Sequence, residues 1–256
     1  MPHEKVILIM PAFNEEANMA NSARFGLSLV QQGVVHDFVV IDDASTDRTA
    51  ELAKQAGARV ITLAKRTGKG GAVLEGVRYC KNNGADVLLT IDADLVAAPS
   101  KLVISMLDSL RANDGGGRPY CMAIAPYSGV IGSGAFQSHS GQRAIRMKSL
   151  NFLFVERPGG FVFSDSFTAR RFIYTSQGYG LELALNWQVK PCIMLKNDEG
   201  TFVFEGLRRD NKQTLDSDLD RVKKIIAART SRLKERLETR NGNAVKKPGP
   251  ARTATL

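Results

Sequence analysis

The sequence predicts an α/β protein with a mostly parallel, doubly wound sheet and flanking helices in a single domain. Short apolar, β-branched runs alternate with stretches of helical periodicity through residues 6–111. Each run ends in a polar turn, which is typical of buried parallel strands. The chain has 256 residues, and its hydrophobic content of 43% is ample for one large core.

The expected elements follow in order. In the first part of the chain we predict strands at 6–10, 37–41, 59–62 and 86–91, and helices at 15–32, 47–56, 69–82 and 99–111. Further on we predict an apolar segment at 120–125, a Gly- and Ser-rich loop at 126–140, helices at 142–154 and 176–188, and short strands at 171–174 and 191–195. Strands and helices that alternate at this spacing form a mostly parallel sheet.

The net charge of +9 lies at the end of the chain. Residues 221–256 carry 11 of the 35 Lys and Arg side chains but only two of the 26 acidic ones. Apolar residues at helical spacing predict a basic amphipathic helix at 216–240, followed by a disordered tail at 241–256. Such a helix fits packing on the domain or peripheral contact with anionic lipid. Because no aromatics interleave with the basic residues, we expect no nucleic-acid partner.

Cysteine usage and hydropathy indicate the compartment. The three cysteines are widely spaced and form no CxxC pair, which indicates free thiols in a reducing environment. No apolar stretch approaches the roughly 20 residues that span a bilayer, and no signal peptide precedes the first strand. We therefore expect a cytoplasmic protein, or one held peripherally at the membrane surface.

Acidic residues follow three of the predicted strands. PAFNEE at 11–16 follows the first strand, DDASTDRT at 42–49 the second, and DADL at 92–95 the strand predicted at 86–91. Ligands bind at the carboxyl ends of parallel strands, so these carboxylates should converge. They would repel each other unless a cation or hydrogen-bond donors lay between them. The pattern predicts a site for a metal-bound, donor-rich ligand such as a nucleotide diphosphate.

These motifs, together with GKGGAVLEG at 68–76, resemble the family 2 glycosyltransferases in order and spacing. The likeness is strong to about residue 94 and continues more loosely to about residue 210 through SGQRAIR and GYGLELALN. It implies a GT-A (Rossmann-like) domain at 1–215, with a donor half at about 1–112 and an acceptor half at about 113–215. It also implies hexose transfer from a UDP- or GDP-sugar with Mg²⁺ or Mn²⁺.

The first motif supplies candidate nucleotide contacts. Pro11 and Ala12 end the strand without bulk, which leaves backbone groups free to meet a flat base. Glu15 can accept a hydrogen bond from a ribose hydroxyl. The alternative for this segment is an ordinary helix start, with Asn14 as N-cap and Glu15 complementing the helix dipole.

The second motif and the Gly-rich segment add two more candidates. A carboxylate at Asp43 can accept the N–H of uracil or guanine, and by resemblance this residue reads the base. Ser45 and Asp47 fit capping of the next helix. Lys69 lies in a Gly-rich loop that opens a helix, where it can reach a diphosphate. Its alternative is a solvated residue at a helix cap, because the spacing of a P-loop is missing.

Asp92 and Asp94 are the predicted metal ligands. Alternation along an extended segment puts both on one side of the strand end, where they can share a divalent cation with a diphosphate. Asp92 also fits a ribose contact. The metal would neutralise charge on the leaving nucleoside diphosphate, so Asp94 is assigned a catalytic role.

The second half supplies candidate acceptor residues. GQRA at 141–144 resembles members that act on phosphorylated acceptors, which include polyprenyl-phosphate glycosyltransferases and glucosyl-3-phosphoglycerate synthases. Arg143 could hold a phosphate through two hydrogen bonds, with Arg170 or Arg171 adding charge. Glu182 at a helix start could act as general base on an acceptor hydroxyl, or simply complement the helix dipole. A phosphate nucleophile needs no base.

One departure from the family leaves alternatives open. Many relatives carry a downstream His as a metal ligand, whereas VFEGLRR at 203–209 contains none, and Glu205 is a substitute of suitable chemistry. A non-catalytic sugar-nucleotide-binding or membrane-associated partner protein therefore remains a second hypothesis. A sugar nucleotidyltransferase is a third, although residues 11–16 are not the Gly-rich basic loop that binds a triphosphate.

Overall fold

The computed structural model describes residues 4–97, 100–125, 127–128, 141–176, 180–195 and 202–204. Its first half alternates strand and helix throughout. The strands are β1 (Val6–Ala12), β2 (Asp37–Asp42), β3 (Arg59–Thr62), β4 (Val87–Thr90) and β5 (Leu95–Ala97). The helices are α1 (Glu16–Gln31), α2 (Thr49–Gln55), α3 (Gly68–Asn82) and α4 (Ser100–Ser109). All the strands and helices predicted between residues 6 and 111 are therefore confirmed, and β5 is an addition.

The second half is built from shorter pieces. Its strands are β6 (Met122–Ile124), β7 (Tyr127–Ser128), β8 (Arg143–Arg146), β9 (Phe154–Arg157), β10 (Gly160–Phe163), β11 (Cys192–Met194) and β12 (Phe202–Phe204). Its helices are a 3-10 helix (Met147–Leu153), α5 (Phe167–Thr175) and α6 (Gly180–Gln188). The strand predicted at 191–195 is confirmed, and the helix predicted at 176–188 is present from Gly180 onward.

Two predictions for this half are wrong. The segment predicted as a helix at 142–154 begins instead as β8, which pairs antiparallel with both β4 and β6 and is buried through Ile145. Strand pairing in the sheet outweighs the local helical pattern. The segment predicted as a strand at 171–174 belongs to α5, where Ser166 caps the helix by accepting from Ala169 N at 3.2 Å.

Within the described residues the central sheet has seven strands, in the order β11-β6-β8-β4-β1-β2-β3. All neighbouring pairs are parallel except the two that involve β8. Strands of both halves thus share one sheet, which confirms the prediction of a mostly parallel sheet in a single domain. A smaller sheet pairs β12 with β5 and β7.

The core lies on both faces of the central sheet. Along β1, Leu8 and Met10 pack with residues of α1, α2 and α4, whereas Ile7 and Ile9 pack with residues of α3, α5 and α6. Because both faces are covered, the strand is apolar at every position rather than at alternate ones. Gly76 allows α3 to lie close to the sheet, since a Cβ there would be 2.4 Å from Ile9 Cδ1. This close packing fixes the start of α3 at the carboxyl edge of the sheet.

Several predictions lie outside the described residues. These are the basic helix at 216–240, the tail at 241–256, Glu205, and the loop at 126–140 apart from Tyr127–Ser128. Among the helices that the structure describes, none combines the length and apolar character needed to cross a membrane.

Candidate active site

The turns after β1 and β2 are tied to each other. Asn14 and Ala44 have left-handed backbones, with φ of 55° and 58°. Asn14 N donates to Ser45 Oγ at 3.0 Å, and Asn14 Oδ1 accepts from Thr46 N at 2.9 Å. The expectation that Asn14 and Ser45 cap the helices that follow them is therefore wrong, because both side chains bond across to the neighbouring turn.

Asp47 and Glu15 complete this junction. Asp47 precedes Arg48, the N-cap of α2; its Oδ1 accepts from Thr49 N at 2.9 Å, and its Oδ2 accepts from Glu16 N at 3.2 Å. Burial raises the pKa of Asp47, but hydrogen bonds from Thr49 and Glu16 outweigh it and the pKa is lowered. Glu15 N donates to Thr49 Oγ1 at 2.7 Å, which fixes Glu15 at the start of α1. Its ribose contact stays a prediction.

Asp43 joins β2 to α3. The residue is 2% exposed; Oδ1 accepts from Thr67 N at 2.6 Å and Thr67 Oγ1 at 2.7 Å, and Oδ2 accepts from Gly68 N at 2.7 Å. The carboxylate thus satisfies N–H groups at the positive end of the helix. The sequence predicted only the base contact of Asp43, which stays a prediction, and not these hydrogen bonds to the start of α3.

The end of β1 forms one side of the site. Pro11 lines the pocket, and Ala12 is buried with its carbonyl accepting from Asp43 N at 2.9 Å. Next to them the Arg66 guanidinium lies 3.9 Å from the centroid of the Phe13 ring. No motif in the sequence marks this cation–π pair, since the two residues are far apart along the chain.

Lys69 is the centre of the pocket. Its Nζ lies 2.9 Å from Asp92 Oδ1, 3.0 Å from Asp92 Oδ2 and 3.0 Å from Glu182 Oε1. Burial lowers the pKa of Lys69, but the carboxylates of Asp92 and Glu182 outweigh burial and raise it. Glu182 is 2% exposed, and its Oε2 accepts no hydrogen bond from the described part of the chain. One ammonium group therefore holds two of the predicted site carboxylates together.

Arg143 lies beneath this cluster. The residue is 1% exposed, and Nη1 donates to Asn186 Oδ1 at 2.7 Å and contacts the Met122 sulfur at 3.2 Å. Burial lowers the pKa of Arg143 to about 10, although the charge of Glu182 opposes this shift. Arg143 is thus a buried counter-charge for the cluster, and its predicted contact with a phosphate stays a prediction. Arg170 and Arg171 lie exposed on α5.

Gln142 is a site residue that sequence reasoning missed. Its Oε1 accepts from Asp92 N at 3.0 Å, and its Nε2 donates to Asp92 Oδ2 at 3.1 Å. Gln142 belongs to the GQRA segment, from which a functional role was predicted only for the neighbouring Arg143. Amide side chains carry no charge, so their role depends on a geometry that the sequence does not display.

Of the two predicted metal ligands, only Asp92 is among the residues that line the pocket. Asp92 lines it with a side chain that is 22% exposed, and Asp94 lies partly buried just before β5. Ser22 Oγ on α1 donates to the intervening Ala93 carbonyl at 2.7 Å. Within the described ranges, no three His, Cys, Asp or Glu residues cluster closely enough to hold a metal ion. Two carboxylates suit Mg²⁺ that is bound jointly with phosphate oxygens and water.

The pocket therefore brings together several of the predicted site residues, namely Pro11, Lys69, Asp92, Arg143 and Glu182. Glu15 and Asp43 lie at the strand-end turns beside it. Its two cations and two carboxylates balance in charge. A neutral ligand complex, such as a divalent cation with a doubly charged diphosphate ester, would enter without adding net charge.

A mostly parallel sheet with acidic residues and a lysine at its carboxyl edge defines a GT-A-type domain. Solved structures share this fold. Glucosyl-3-phosphoglycerate synthase from Mycobacterium tuberculosis, in complex with Mn²⁺, UDP-glucose and phosphoglyceric acid, is similar with a TM-score of 0.59 and 20% identity, covering 84% of this chain and 80% of that one. The same enzyme with Mg²⁺ and UDP gives 0.58 and 21%, covering 84% and 79%. The predicted GT-A class is confirmed.

The family follows from the sequence itself. The family described as Glycosyl transferase family 2 matches residues 7–178, and the chain belongs to it. A 4,4'-diaponeurosporenoate glycosyltransferase of Staphylococcus aureus is 28% identical over 130 residues, which cover 49% of this chain and 32% of that protein. Protein MJ1222 of Methanocaldococcus jannaschii is 32% identical over 91 residues, 36% of each chain. The chain spans about a third of the length of these curated relatives.

Proposed function

We propose that the protein transfers a hexose from a UDP-sugar to a phosphorylated acceptor, assisted by Mg²⁺ or Mn²⁺. The observation that carries this proposal is the Lys69 ammonium, which bridges Asp92 and Glu182 at the carboxyl edge of the sheet in a member of glycosyl transferase family 2. The bridge joins a residue of the predicted donor site to a residue of the predicted acceptor site. Both substrates would therefore meet at one cationic group.

The donor side of the pocket fits a nucleotide diphosphate and its metal. Asp92 and Asp94 offer hard oxygen ligands, which suit Mg²⁺ and Mn²⁺. A divalent cation bound there would stabilise negative charge on the departing nucleoside diphosphate. Uridine is favoured over guanosine because the similar Mycobacterium tuberculosis synthase is described with UDP and UDP-glucose.

Lys69 would exchange partners when the donor binds. In the structure its ammonium neutralises Asp92 and Glu182. A cation shared by Asp92 and the diphosphate would take over one of these contacts, and the ammonium could then pair with a phosphate oxygen. The same residue would thus stabilise the empty pocket and help hold the donor.

The acceptor side is formed by Glu182 with Arg143 beneath it. Glu182 lines the pocket, and its Oε2 accepts no hydrogen bond from the described residues, which supports a role in taking a proton from an acceptor hydroxyl. The charge of buried Arg143 interacts favourably with that of Glu182. A phosphorylated acceptor is supported by the phosphoglyceric acid described in the similar synthase.

A lipid phosphate is the second acceptor class. The basic residues of 221–256 favour it, because anionic lipid attracts such segments. Under this proposal the protein works in the cytoplasm with peripheral contact at the membrane surface. Sedimentation with anionic liposomes tests the contact, and unchanged binding after deletion of residues 217–256 would contradict it.

Transfer is tested directly by release of UDP from UDP-glucose. The assay compares 3-phosphoglycerate with a polyprenyl phosphate, each with Mn²⁺ and with EDTA. We expect acceptor-dependent release that EDTA and Asp94→Ala both abolish, whereas Asp108→Asn, on the exposed part of α4, remains active. No release with any acceptor, from a protein that still binds UDP, would favour a non-catalytic binding role.

A further inference from the structure

Gln142 holds Asp92 through both ends of its side-chain amide. Oε1 accepts from the backbone N of Asp92, and Nε2 donates to Oδ2 of the same residue. Gln142 is 2% exposed, so water does not compete for these bonds. The two contacts close a ring around Asp92 that fixes its side chain relative to its own backbone.

The chemistry of this ring demands an amide. The backbone N–H needs an acceptor and the carboxylate needs a donor, and a neutral amide supplies both. A glutamate would place negative charge beside Asp92 Oδ2, and a methionine of similar size would supply neither group. The orientation of the amide is also fixed. If it were reversed, its NH₂ group would face the donor Asp92 N–H, and its oxygen would face the acceptor Asp92 Oδ2.

Gln142 is itself held by the chain around it. Thr90 Oγ1 donates to the carbonyl of Gly141, which anchors the segment to the end of β4. Gly141 packs directly on the cluster, since a Cβ there would lie 2.6 Å from Asp92 Oδ2 and 2.6 Å from Lys69 Nζ. Gln142 therefore approaches Asp92 from a fixed backbone.

We infer that Gln142 is a positioning residue that aims the Asp92 carboxylate at the metal–diphosphate complex of the donor. The inference rests on the proposed function. Lys69 also holds Asp92, but Lys69 is the group that would turn toward the diphosphate when the donor binds. The two hydrogen bonds of Gln142 described above are both with Asp92 itself, so they could keep Asp92 oriented after Lys69 has moved. Groups that orient a metal ligand from behind typically change metal affinity or activity by about 10- to 100-fold.

The test compares Gln142→Met and Gln142→Glu with Tyr79→Phe. The control variant removes one side-chain hydrogen bond of similar length, from Tyr79 Oη to Asp37 Oδ2 at 2.7 Å, at the start of β2 and so at the opposite edge of the sheet. Affinity for UDP with Mn²⁺ is measured by calorimetry and thermal stability by calorimetric melting. Crystals of ligand-free wild type and Gln142→Met show the position of the Asp92 carboxylate.

We expect both Gln142 variants to bind UDP with Mn²⁺ about 10- to 100-fold more weakly than wild type. Tyr79→Phe should lose thermal stability but keep wild-type affinity for UDP. This control separates a general loss of stability from a loss of positioning at Asp92. Wild-type affinity in Gln142→Met would overturn the inference.

If the wild type itself binds no nucleotide, the proposed function fails. The crystals then decide whether Gln142 positions Asp92. An Asp92 carboxylate that keeps its wild-type position in Gln142→Met overturns the inference, and a reoriented carboxylate supports it.

Discussion

Asp43 and Glu182 are equally buried carboxylates, each 2% exposed, that are held in different ways. Asp43 accepts three hydrogen bonds from the first turn of α3 and its N-cap. Glu182 faces the movable ammonium of Lys69 and has an oxygen that accepts no hydrogen bond from the described residues. The fold alone stabilises the first carboxylate, whereas the second depends on a side chain that a ligand can draw away. Under the proposed function, the donor side would thus be preorganised, and the acceptor side would respond to what is bound.

The largest effect should follow from changing Asp92. Asp92→Asn keeps the size of the side chain but removes the charge that Lys69 and a metal would share, and we expect transfer to fall by about 100- to 1000-fold. Rates of UDP release measure the loss, with Asp108→Asn as control. Near-normal rates in Asp92→Asn would mean that this side of the site carries no catalytic charge.

The second effect concerns the dependence of Glu182 on Lys69. Lys69→Met leaves a buried carboxylate without its direct cation, and we expect the free energy of unfolding to fall by about 3 kcal/mol. Adding Glu182→Gln should restore most of this loss, because the uncompensated charge is then gone. Urea denaturation of the single and double variants measures the coupling. Additive losses would show that the two residues do not stabilise each other.

The third effect concerns the preorganised side. Asp43→Asn turns an amide donor toward N–H groups that need acceptors, so we expect the free energy of unfolding to fall by about 1–3 kcal/mol. A second change at Glu182 should not restore it, unlike the loss at Lys69. Urea denaturation of Asp43→Asn with and without Glu182→Gln measures this difference. If Glu182→Gln restored the free energy of unfolding of Asp43→Asn, the two carboxylates would not be stabilised independently.

The smallest effect is a pH dependence at the junction of the two turns. Hydrogen bonds lower the pKa of Asp47, so the stability it contributes is present above its unfolded pKa of about 4 and is lost as pH falls through the lower folded value. Asp47→Asn should therefore destabilise the protein by about 1 kcal/mol at pH 6 and by less at pH 3. Unfolding free energies at both pH values check this. A difference in unfolding free energy between wild type and Asp47→Asn that is larger at pH 3 than at pH 6 would contradict this prediction.

The first half of the fold could be predicted from the sequence because its pattern is local. A strand such as β1 is buried on both faces, so every residue is apolar and the run is unmistakable. The second half could not be predicted as well. Arg143–Arg146 has no strand signature of its own and becomes β8 only because β4 and β6 lie on either side of it.

The site divides in the same way. Charged residues such as Asp92 at a strand end and Lys69 at a helix start were predicted because their chemistry is visible in the sequence. The contacts between the predicted residues could not be predicted, since the Lys69–Glu182 contact joins residues more than a hundred positions apart. The two hydrogen bonds from Gln142 to Asp92 could not be predicted for another reason. A neutral amide has no charge that marks it in the sequence, and its role depends on the bonds it makes in the folded protein.

We propose that Asp92, with Lys69 and Gln142, forms a metal-dependent site for a nucleoside diphosphate. Calorimetric titration with UDP and with GDP, each in Mn²⁺ and in EDTA, tests it most directly. We predict that UDP binds in Mn²⁺ more tightly than GDP, and that EDTA abolishes the binding. If neither nucleotide binds in Mn²⁺, or if EDTA leaves the affinity for UDP unchanged, the account of this site is contradicted.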